Sequence, residues 1–312
     1  METSILLAEQ ILAMFLTMAV GFGVVRAGLF KTEDSRIISN MVVYICNPCV
    51  VVHSFQIELT DDKIKGLMIA IGLSVVVHMV LIIGSEILSF IFHFNSIEKA
   101  SIIYTNAGYL VIPLVGAVLG EEWVFYTTAF ILVQTVLMWT HGVKLIGQEK
   151  ELNIRKILCN PNVIAMIIGI ALFALEIRLP TVVDSCVSGF GDMISPASMM
   201  VIGMVIGDVD LKWVFRQKRP YLICLLRLIV FPLIAVVAFA GLERSGIHPD
   251  AEYILMIVLI ATSAPAAAMI TQLAQIYGKD SRYASVINVM SVIFCIITMP
   301  VMVLSYEMLI AL

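Results

Sequence analysis

The chain has 312 residues, of which 61% are hydrophobic and 13% are charged. A soluble globular domain carries about 25% charged residues, so this composition excludes an ordinary soluble protein. The mean hydropathy is +1.02, and the apolar residues come in blocks of roughly 20, the length of a helix that crosses a bilayer core. The net charge of −4 indicates little about partners, because its distribution matters more than its sum. We therefore predict an all-α membrane protein without a separate soluble domain.

Ten apolar segments are predicted to span the membrane. In chain order they cover residues 5–25, 34–54, 66–92, 98–119, 123–146, 161–177, 184–207, 219–241, 252–275 and 282–311. Lys and Arg are enriched in cytoplasmic loops and therefore indicate orientation. The loops after the odd-numbered spans contain 14 of the 19 Lys and Arg residues, and the opposite loops contain four. This bias predicts that both termini lie outside the cytoplasm.

The chain divides into two halves of five predicted spans each. Residues 1–146 form the first half, a basic cytoplasmic loop covers 147–160, and residues 161–312 form the second half. Pro48 and Pro196 both lie in the second span of a half, and Pro113 and Pro265 both lie in the fourth. Because five is odd, the second half enters the membrane upside down relative to the first. This predicts an inverted repeat, which is typical of secondary transporters.

Pro113 and Pro265 lie inside membrane-length apolar segments. Proline removes a backbone donor and clashes with the preceding turn, so we expect helices 4 and 9 to be broken at these residues. A broken helix survives in a membrane where it is buried in protein or lines a wet cavity. A matched pair of interruptions therefore indicates the binding site of a transporter.

The residues around the predicted breaks form the candidate substrate site. A half-helix that begins at a break presents free N–H groups and the positive end of its dipole, which favour an anion such as a carboxylate. Asn106 could add a side-chain donor, or it could simply bond a neighbouring helix. Val258 stands at the matching distance before Pro265, so we expect the second break to contribute mainly backbone amides and small residues. The candidate substrate-binding residues are Asn106, Gly108, Pro113, Gln134, Ser263, Pro265 and Ala266.

Four further polar residues are candidates for coupling or gating. Ionisable groups inside a membrane are costly and often functional. Arg227 lies deep in the eighth span and either pairs, contacts substrate or snorkels to the interface. Asp192 precedes Pro196 by four residues and is either an interior group or a solvated helix end. His53 could relay a proton or serve as a structural residue. Asn47, next to Pro48, completes the set.

An enzyme is the competing class. Residues 189–192 read GFGD, the GxGD pattern of intramembrane aspartyl proteases, with Asp192 as the acid. That chemistry needs a second aspartate that shares a proton, and the chain contains no YD dipeptide on a preceding span. The Cys-x-x-Cys at Cys46 and Cys49 has no second pair nearby and favours packing over metal binding. We therefore expect no catalytic residues, no metal and no cofactor.

The sequence resembles the auxin efflux carrier family, which includes plant PIN proteins and bacterial carboxylate transporters. The resemblance rests on motifs spread over nearly the whole chain. They are N-x5-I-P at Asn106 and Pro113, Gly120, Gln134 with Trp139 and Thr140, Pro48 and His53, NPN at residues 160–162, Asp192 with Gly203, Arg227 with Pro232, APAAAMITQLAQIYGKD from Ala264, Ala284 with Ser285, and TMP at residues 298–300. The long central loop of plant members is absent, so the chain looks like a compact bacterial member.

This resemblance implies a fold, a mechanism and partners. It implies the ten-helix fold of bile-acid sodium symporters, with spans 1, 2, 6 and 7 as a scaffold and spans 3–5 and 8–10 as a transport domain. Helices 4 and 9 would cross beside the substrate, and an elevator-like shift would carry a small organic anion across the bacterial inner membrane. A homodimer is common in the family, and a proton or sodium ion could be coupled. A sodium symporter of the same fold and a non-transporting sensor remain as alternatives. No nucleic acid is expected as a partner.

Overall fold

The computed structural model describes residues 2–147 and 158–311. Over these residues the chain is all-helical and forms no β-strand. This confirms the predicted class of a helical protein with membrane-length segments. Most of the predicted connecting loop at 147–160, with three of its basic residues, lies outside the described residues.

Thirteen helices are defined within the described part of the chain, where helical segments that are consecutive or separated by one residue are counted as one. They are α1 (Glu2–Arg26), α2 (Thr32–Ser54), α3 (Asp61–Phe92), α4 (Ser96–Ile103), α5 (Ala107–Val118), α6 (Glu121–Gly147), α7 (Pro161–Ala174), α8 (Thr181–Gly207), α9 (Leu211–Arg216), α10 (Arg219–Glu243), α11 (Ala251–Ser263), α12 (Met269–Ile276) and α13 (Ser281–Ile310). Among these, α2, α3, α6, α8, α10 and α13 are long and apolar enough to cross a bilayer. The apolar part of α1 and helices α5, α7 and α11 are shorter.

The helix bounds follow the apolar segments closely. Eight predicted segments coincide with one helix each, within about five residues at either end. The fourth and ninth segments differ, because each consists of two helices: α4 and α5, and α11 and α12. The chain is therefore interrupted in the two segments for which the sequence predicts breaks.

The helices pack in two groups. Helices α1, α2, α7 and α8 contact one another extensively, and α3 to α6 and α10 to α13 form the second group. In the first group α1 lies directly against the second part of α8, where a Cβ on Gly203 would collide with the backbone oxygen of Met18. Glycine therefore allows this close helix approach, as is common in membrane bundles.

Widened turns with i→i+5 bonding interrupt several helices. They lie at Val42–Cys46, Ala107–Val111, Met138–Gly142 and Leu226–Val230. Three of them end two residues before a proline, at Pro48, Pro113 and Pro232. A widened turn moves the preceding carbonyl away from the proline ring, and so accommodates a residue that has no N–H to donate. The prediction of a break at Pro113 is therefore wrong in position: Pro113 lies inside α5, and the break lies at residues 104–106.

A buried carboxylate fixes the start of α4. Glu98 is 1% exposed, and its Oε1 accepts hydrogen bonds from Arg219 Nε at 2.6 Å and from the Tyr283 hydroxyl at 2.7 Å. Its Oε2 accepts from the Asn95 backbone N–H at 2.9 Å, which completes a capping box. The cluster joins the first turns of α4, α10 and α13 on one side of the second helix group.

Candidate functional site

The two breaks meet in the interior of the second helix group. Residues 104–106 separate α4 from α5, and residues 264–268 separate α11 from α12. The Asn106 N–H donates to the Pro265 carbonyl at 2.8 Å, and the Ala267 N–H donates to the Tyr104 carbonyl at 3.0 Å. These bonds form an isolated antiparallel bridge between Thr105 and Ala266. The segments therefore cross as two short extended stretches whose backbone groups partly satisfy each other.

Gln134 holds the first break through one side chain. Its Oε1 accepts from both the backbone N–H and the hydroxyl of Thr105, at 2.8 and 2.9 Å. Its Nε2 donates to the Thr105 carbonyl at 2.9 Å. An amide side chain that carries both a donor and an acceptor can replace a missing strand partner in this way. Gln134, on α6, thus satisfies both backbone groups of a residue that is 1% exposed.

Two side chains of α13 perform the same task at the second break. Asn288 Nδ2 donates to the Ala266 carbonyl at 2.6 Å, and the Ala266 N–H donates to the Ser291 hydroxyl at 3.0 Å. Asn288 and Ser291 are three residues apart and therefore lie on one face of the helix. Both breaks are consequently clamped by polar side chains on the second helix that follows them in the chain, α6 for the first break and α13 for the second.

Arg227 lies beneath the crossover and is completely buried. Its Nε donates to the Ala264 carbonyl at 3.2 Å, and its Nη1 donates to the Ile102 carbonyl at 3.0 Å. Ile102 lies in the last turn of α4, and Ala264 follows the last residue of α11. The guanidinium therefore contacts the carboxyl ends of both half-helices and borders neither of the two larger cavities described below.

A small cavity of about 120 Å³ lies where α2, α6 and the two breaks meet. Its lining contains no charged side chain; the polar members are Asn47, Thr105, Asn106, Tyr109, Gln134, Thr135, Asn160 and Asn162. Within the described residues, Nδ2 of Asn106 and Oδ1 of Asn47 are buried and have no hydrogen-bond partner. Unsatisfied buried amides are uncommon and are often completed by a ligand or water. These two groups therefore make the cavity the strongest candidate for a ligand site.

The backbone adds donors to this cavity. Helix α5 begins at Ala107 and α12 at Met269, and both beginnings lie at the cavity lining. The first amides of a helix have no partner within the helix, and the dipole makes this end positive. Gly108 keeps the approach open, since a Cβ there would lie 3.3 Å from Nδ2 of Asn47. The site can therefore bind a negative group without a cationic side chain in its lining.

A larger cavity of about 460 Å³ lies on the other side of Ile112, which borders both cavities. Pro113 lines it, together with residues from α1, α2, α6 and α8. His53 and Asp184 form a hydrogen bond there, with Nδ1 and Oδ1 at 2.9 Å. Its four acidic side chains are Glu121, Glu122, Asp184 and Asp192.

The structure brings some of the predicted site residues together and separates others. Asn106, Gly108, Gln134 and Asn47 line the small cavity, whereas Pro113, His53 and Asp192 line the large one. Pro265 borders a third, apolar cavity. Ser263 and Ala266 are buried in the crossover. The Asn106 N–H donates to the Pro265 carbonyl, so the residue of the second break that faces Asn106 is Pro265, and the match of Asn106 with Val258 is wrong.

Several residues of the site escape sequence reasoning. Thr105, Tyr104 and Ala267 form the bridge, and Ser291 completes the second clamp. A serine three residues after Asn288, on the same helix face, was the available signal for the clamp. Nothing in the sequence marks Thr105, because its contribution comes from its backbone. No group of three His, Cys, Asp or Glu side chains among the described residues could hold a metal ion.

Membrane-length helices and a helix crossover beside a polar cavity define a class, the membrane transporters. A comparison with known protein families agrees with this class. The family model described as membrane transport protein matches the chain twice, over residues 6–154 and 149–303. The chain therefore belongs to this family, that of the auxin efflux carriers, which consists of transporters rather than enzymes. No curated protein matches the chain. The family implies a small-molecule substrate and a lipid environment for a multi-pass membrane protein.

Proposed function

We propose that this protein is a secondary transporter that carries a small organic anion, a carboxylate, across the bacterial inner membrane. The observation that carries this proposal is the unpartnered side-chain amide of Asn106, which is 4% exposed and borders a cavity at the helix crossover. A carboxylate accepts hydrogen bonds only, so it complements an amide donor, the first N–H groups of α5 and the N–H of Met269, since the next two N–H groups of α12 already donate to the Ala267 and Ala268 carbonyls.

The electrostatics of the small cavity favour a small anion with one charged head. Its lining has no Lys or Arg, and the positive potential comes from two helix N-termini, each equivalent to roughly half an elementary charge. This is enough to balance one carboxylate. We therefore place the charged head of the substrate between Asn106 and the beginning of α12, with Gln134, Gly108 and Ala266 forming or supporting the binding surface.

We further propose that the chain spans the membrane ten times as two inverted five-helix repeats, with both termini outside the cytoplasm. Helices α1, α2, α7 and α8 would be the scaffold, and the other group would move relative to it as an elevator. The separate packing of the two groups supports this division, as does the position of both larger cavities between them. Substrate would stay at the crossover and gain access to the opposite side of the membrane when this group shifts against the scaffold.

Impermeant thiol labelling tests the orientation. Cys159 is exposed in the 147–160 loop predicted to be cytoplasmic, and Ser245 is exposed in a loop predicted on the opposite side. In a chain with a single cysteine, Cys159 should react only from the cytoplasmic side. In an otherwise cysteine-free chain, Ser245→Cys should react only from the outside. Labelling of both positions from one side would contradict an odd number of crossings between them.

The site assignment is tested with Asn106→Ala in proteoliposomes. We expect uptake of the carboxylate that gives the largest thermal shift in wild-type protein to fall by about tenfold or more, because loss of a hydrogen bond to a charged group costs about 1.5–3 kcal/mol. The melting temperature without substrate should change little, since the Asn106 side-chain nitrogen has no protein partner. Asn40→Ala, at an exposed position of α2, is the control.

Four outcomes would revise the proposal. Normal flux in Asn106→Ala would remove this residue from the site. Flux that stops when choline replaces sodium would identify a sodium symporter, and flux that needs a pH gradient would identify proton coupling. Flux at the level of empty liposomes for every carboxylate that binds would instead indicate a sensor. The oligomeric state proposed from the family, a homodimer, is measured by light scattering of the purified protein.

A further inference from the structure

The proposed transport function leaves one feature of the structure unexplained, the buried charge of Arg227. Its side chain is the largest among the fully buried ones in the described part of the chain. A charged group inside a protein in a membrane is costly unless other charges or dipoles compensate it. The ion pairs Lys99–Glu86 and Arg219–Glu98 and the His53–Asp184 contact, all among the described residues, do not include it.

The compensation comes from the two half-helices that end at the crossover. Arg227 donates to the carbonyls of Ile102 and Ala264, at the carboxyl ends of α4 and α11. Each helix C-terminus is equivalent to roughly −0.5 elementary charge, so two of them supply about one negative charge, the amount that neutralises one guanidinium. Arg227 thus neutralises the carboxyl ends, while the amino ends of the following half-helices stay available at the small cavity.

Carbonyls at the ends of broken helices have a known alternative use. In transporters with discontinuous helices, unwound carbonyls and half-helix C-terminal ends coordinate the coupling cation. We propose that Arg227 is the resident counter-cation of this crossover: its guanidinium occupies the position between the two carboxyl ends where a metal cation would otherwise be held. It is a positioning residue, because it fixes both breaks and contacts neither cavity. The proposal rests on the proposed function only in its consequence, that transport needs no sodium ion at this position.

A point charge would fit this position less well than a planar fork. Nε and Nη1 of one guanidinium reach two carbonyls that belong to different helices, whereas a lysine ammonium ends a flexible stem as a single compact charge. Nη2 is buried without a hydrogen-bond partner among the described residues. Removing the side chain should therefore leave a space lined by two acceptors, into which free guanidinium fits.

Thermal melting of purified protein tests the proposal without a transport assay. Arg227→Ala should melt below wild type and regain part of the loss in millimolar guanidinium chloride, compared with choline chloride at equal ionic strength. Arg227→Met fills the space without charge, so it should be destabilised and unresponsive to guanidinium. Arg227→Lys should melt between Arg227→Met and wild type. Arg244→Ala is the matched control, since Arg244 also donates to a carbonyl near a helix end, that of Leu309, but is exposed.

Flux measurements complete the test. Wild-type flux should be the same in sodium and choline, and flux through Arg227→Ala should fall about tenfold, as expected for lost hydrogen bonds to a charged group, and rise again with guanidinium. Absence of guanidinium-dependent stabilisation in Arg227→Ala, or equal melting of Arg227→Lys and Arg227→Met, would overturn the proposal, as would sodium-dependent wild-type flux. Rescue of stability in a protein that transports nothing would leave the counter-cation in place and disprove the transport function instead.

Discussion

The two breaks at the crossover have the same backbone task but meet it with different side chains. In the first, one residue of α6, Gln134, makes three hydrogen bonds to Thr105. In the second, Asn288 and Ser291 of α13 each make one bond to Ala266. The first break also contains polar side chains of its own, whereas the second is a run of alanines around Pro265.

This difference indicates a division of roles between the breaks. Asn106, at the end of the first break, has a free amide that can contact substrate, and the alanines of the second leave room for the ligand and for close packing. Concentrating three bonds in Gln134 makes the first break depend on a single residue. Distributing the bonds over Asn288 and Ser291 makes the second more tolerant of single changes.

The largest effect is expected from Gln134→Leu. It leaves the buried N–H and C=O of Thr105 unpaired, and since each unsatisfied group costs about 1–3 kcal/mol, we expect a loss of about 3 kcal/mol or more. Asn288→Leu and Ser291→Ala should each cost roughly half as much, because each leaves one group unpaired. Melting temperatures in one detergent give the ranking, with the exposed Gln272→Leu as a control for added hydrophobicity.

The double variant at the second break makes this comparison quantitative. Asn288→Leu combined with Ser291→Ala leaves both backbone groups of Ala266 unpaired and should destabilise the protein about as much as Gln134→Leu alone. A single Asn288→Leu variant that is already as unstable as Gln134→Leu would refute the claim that bonding at the second break is distributed.

The anchors at the starts of the two half-helices differ as well, and the next effect tests them. Helix α4 begins at the buried Glu98, which Arg219 and Tyr283 contact. Helix α11 begins beside His248, whose Nε2 donates to the Asp62 carbonyl at 2.9 Å and whose Nδ1 accepts from the Asp250 N–H at 3.0 Å. The first anchor is charged, and the second is compatible with a neutral imidazole.

Glu98→Gln should therefore lower stability by about 2 kcal/mol, the contribution of hydrogen bonds to a charged group. Glu86→Gln is the matched control on the neighbouring helix: its partner Lys99 is close, at 2.7 Å, but Glu86 is 47% exposed. For such an exposed pair we expect at most about 1 kcal/mol. Raising the salt concentration should reduce the Glu86 effect and leave most of the Glu98 effect, because exposed pairs are screened more strongly. Equal effects of both substitutions at high salt would argue against a buried ionic anchor.

The sequence predicts the helices of this protein far better than the crossover. The bounds of α2, predicted as 34–54 and found at Thr32–Ser54, follow from a mostly apolar segment with polar ends, although Asn47 and Pro48 lie within it. The break at residues 104–106 has no such local cause, because Tyr104, Thr105 and Asn106 contain neither glycine nor proline. Its extended backbone is stabilised by Gln134 and by the second break, which are 29 or more residues away in the chain.

Polar side chains inside spans could be recognised, but not what they bind. Gln134 and Arg227 stand out in the sequence because each is costly in hydrocarbon. That both are bonded to backbone groups of the crossover depends on tertiary contacts over 29 to 125 positions. Glu98 was hidden for the opposite reason: it stands at a predicted span end, where a solvated carboxylate is the ordinary expectation, yet it is buried.

The two prolines that mark the halves give the smallest and most discriminating comparison. Pro113 is accommodated within α5 by the widened turn at Ala107–Val111, so Pro113→Ala can form a regular helix there. Pro265 lies in the break itself, and its carbonyl accepts the Asn106 N–H. Since a proline in a compatible conformation stabilises by about 0.4–1 kcal/mol through the unfolded chain, Pro265→Ala should lower stability by up to that amount. Pro113→Ala should be closer to neutral.

The two proline substitutions should differ more in transport flux than in stability. In Pro265→Ala the break gains freedom at the residue that positions Asn106, so we expect flux to fall about fivefold, the factor that roughly 1 kcal/mol makes. Pro113→Ala should retain most of the wild-type flux, because the backbone bonds of the crossover do not involve Pro113. Equal losses from the two substitutions would mean that the widened turn of α5 takes part in transport, and the two prolines would then be equivalent in function although only one lies at a break.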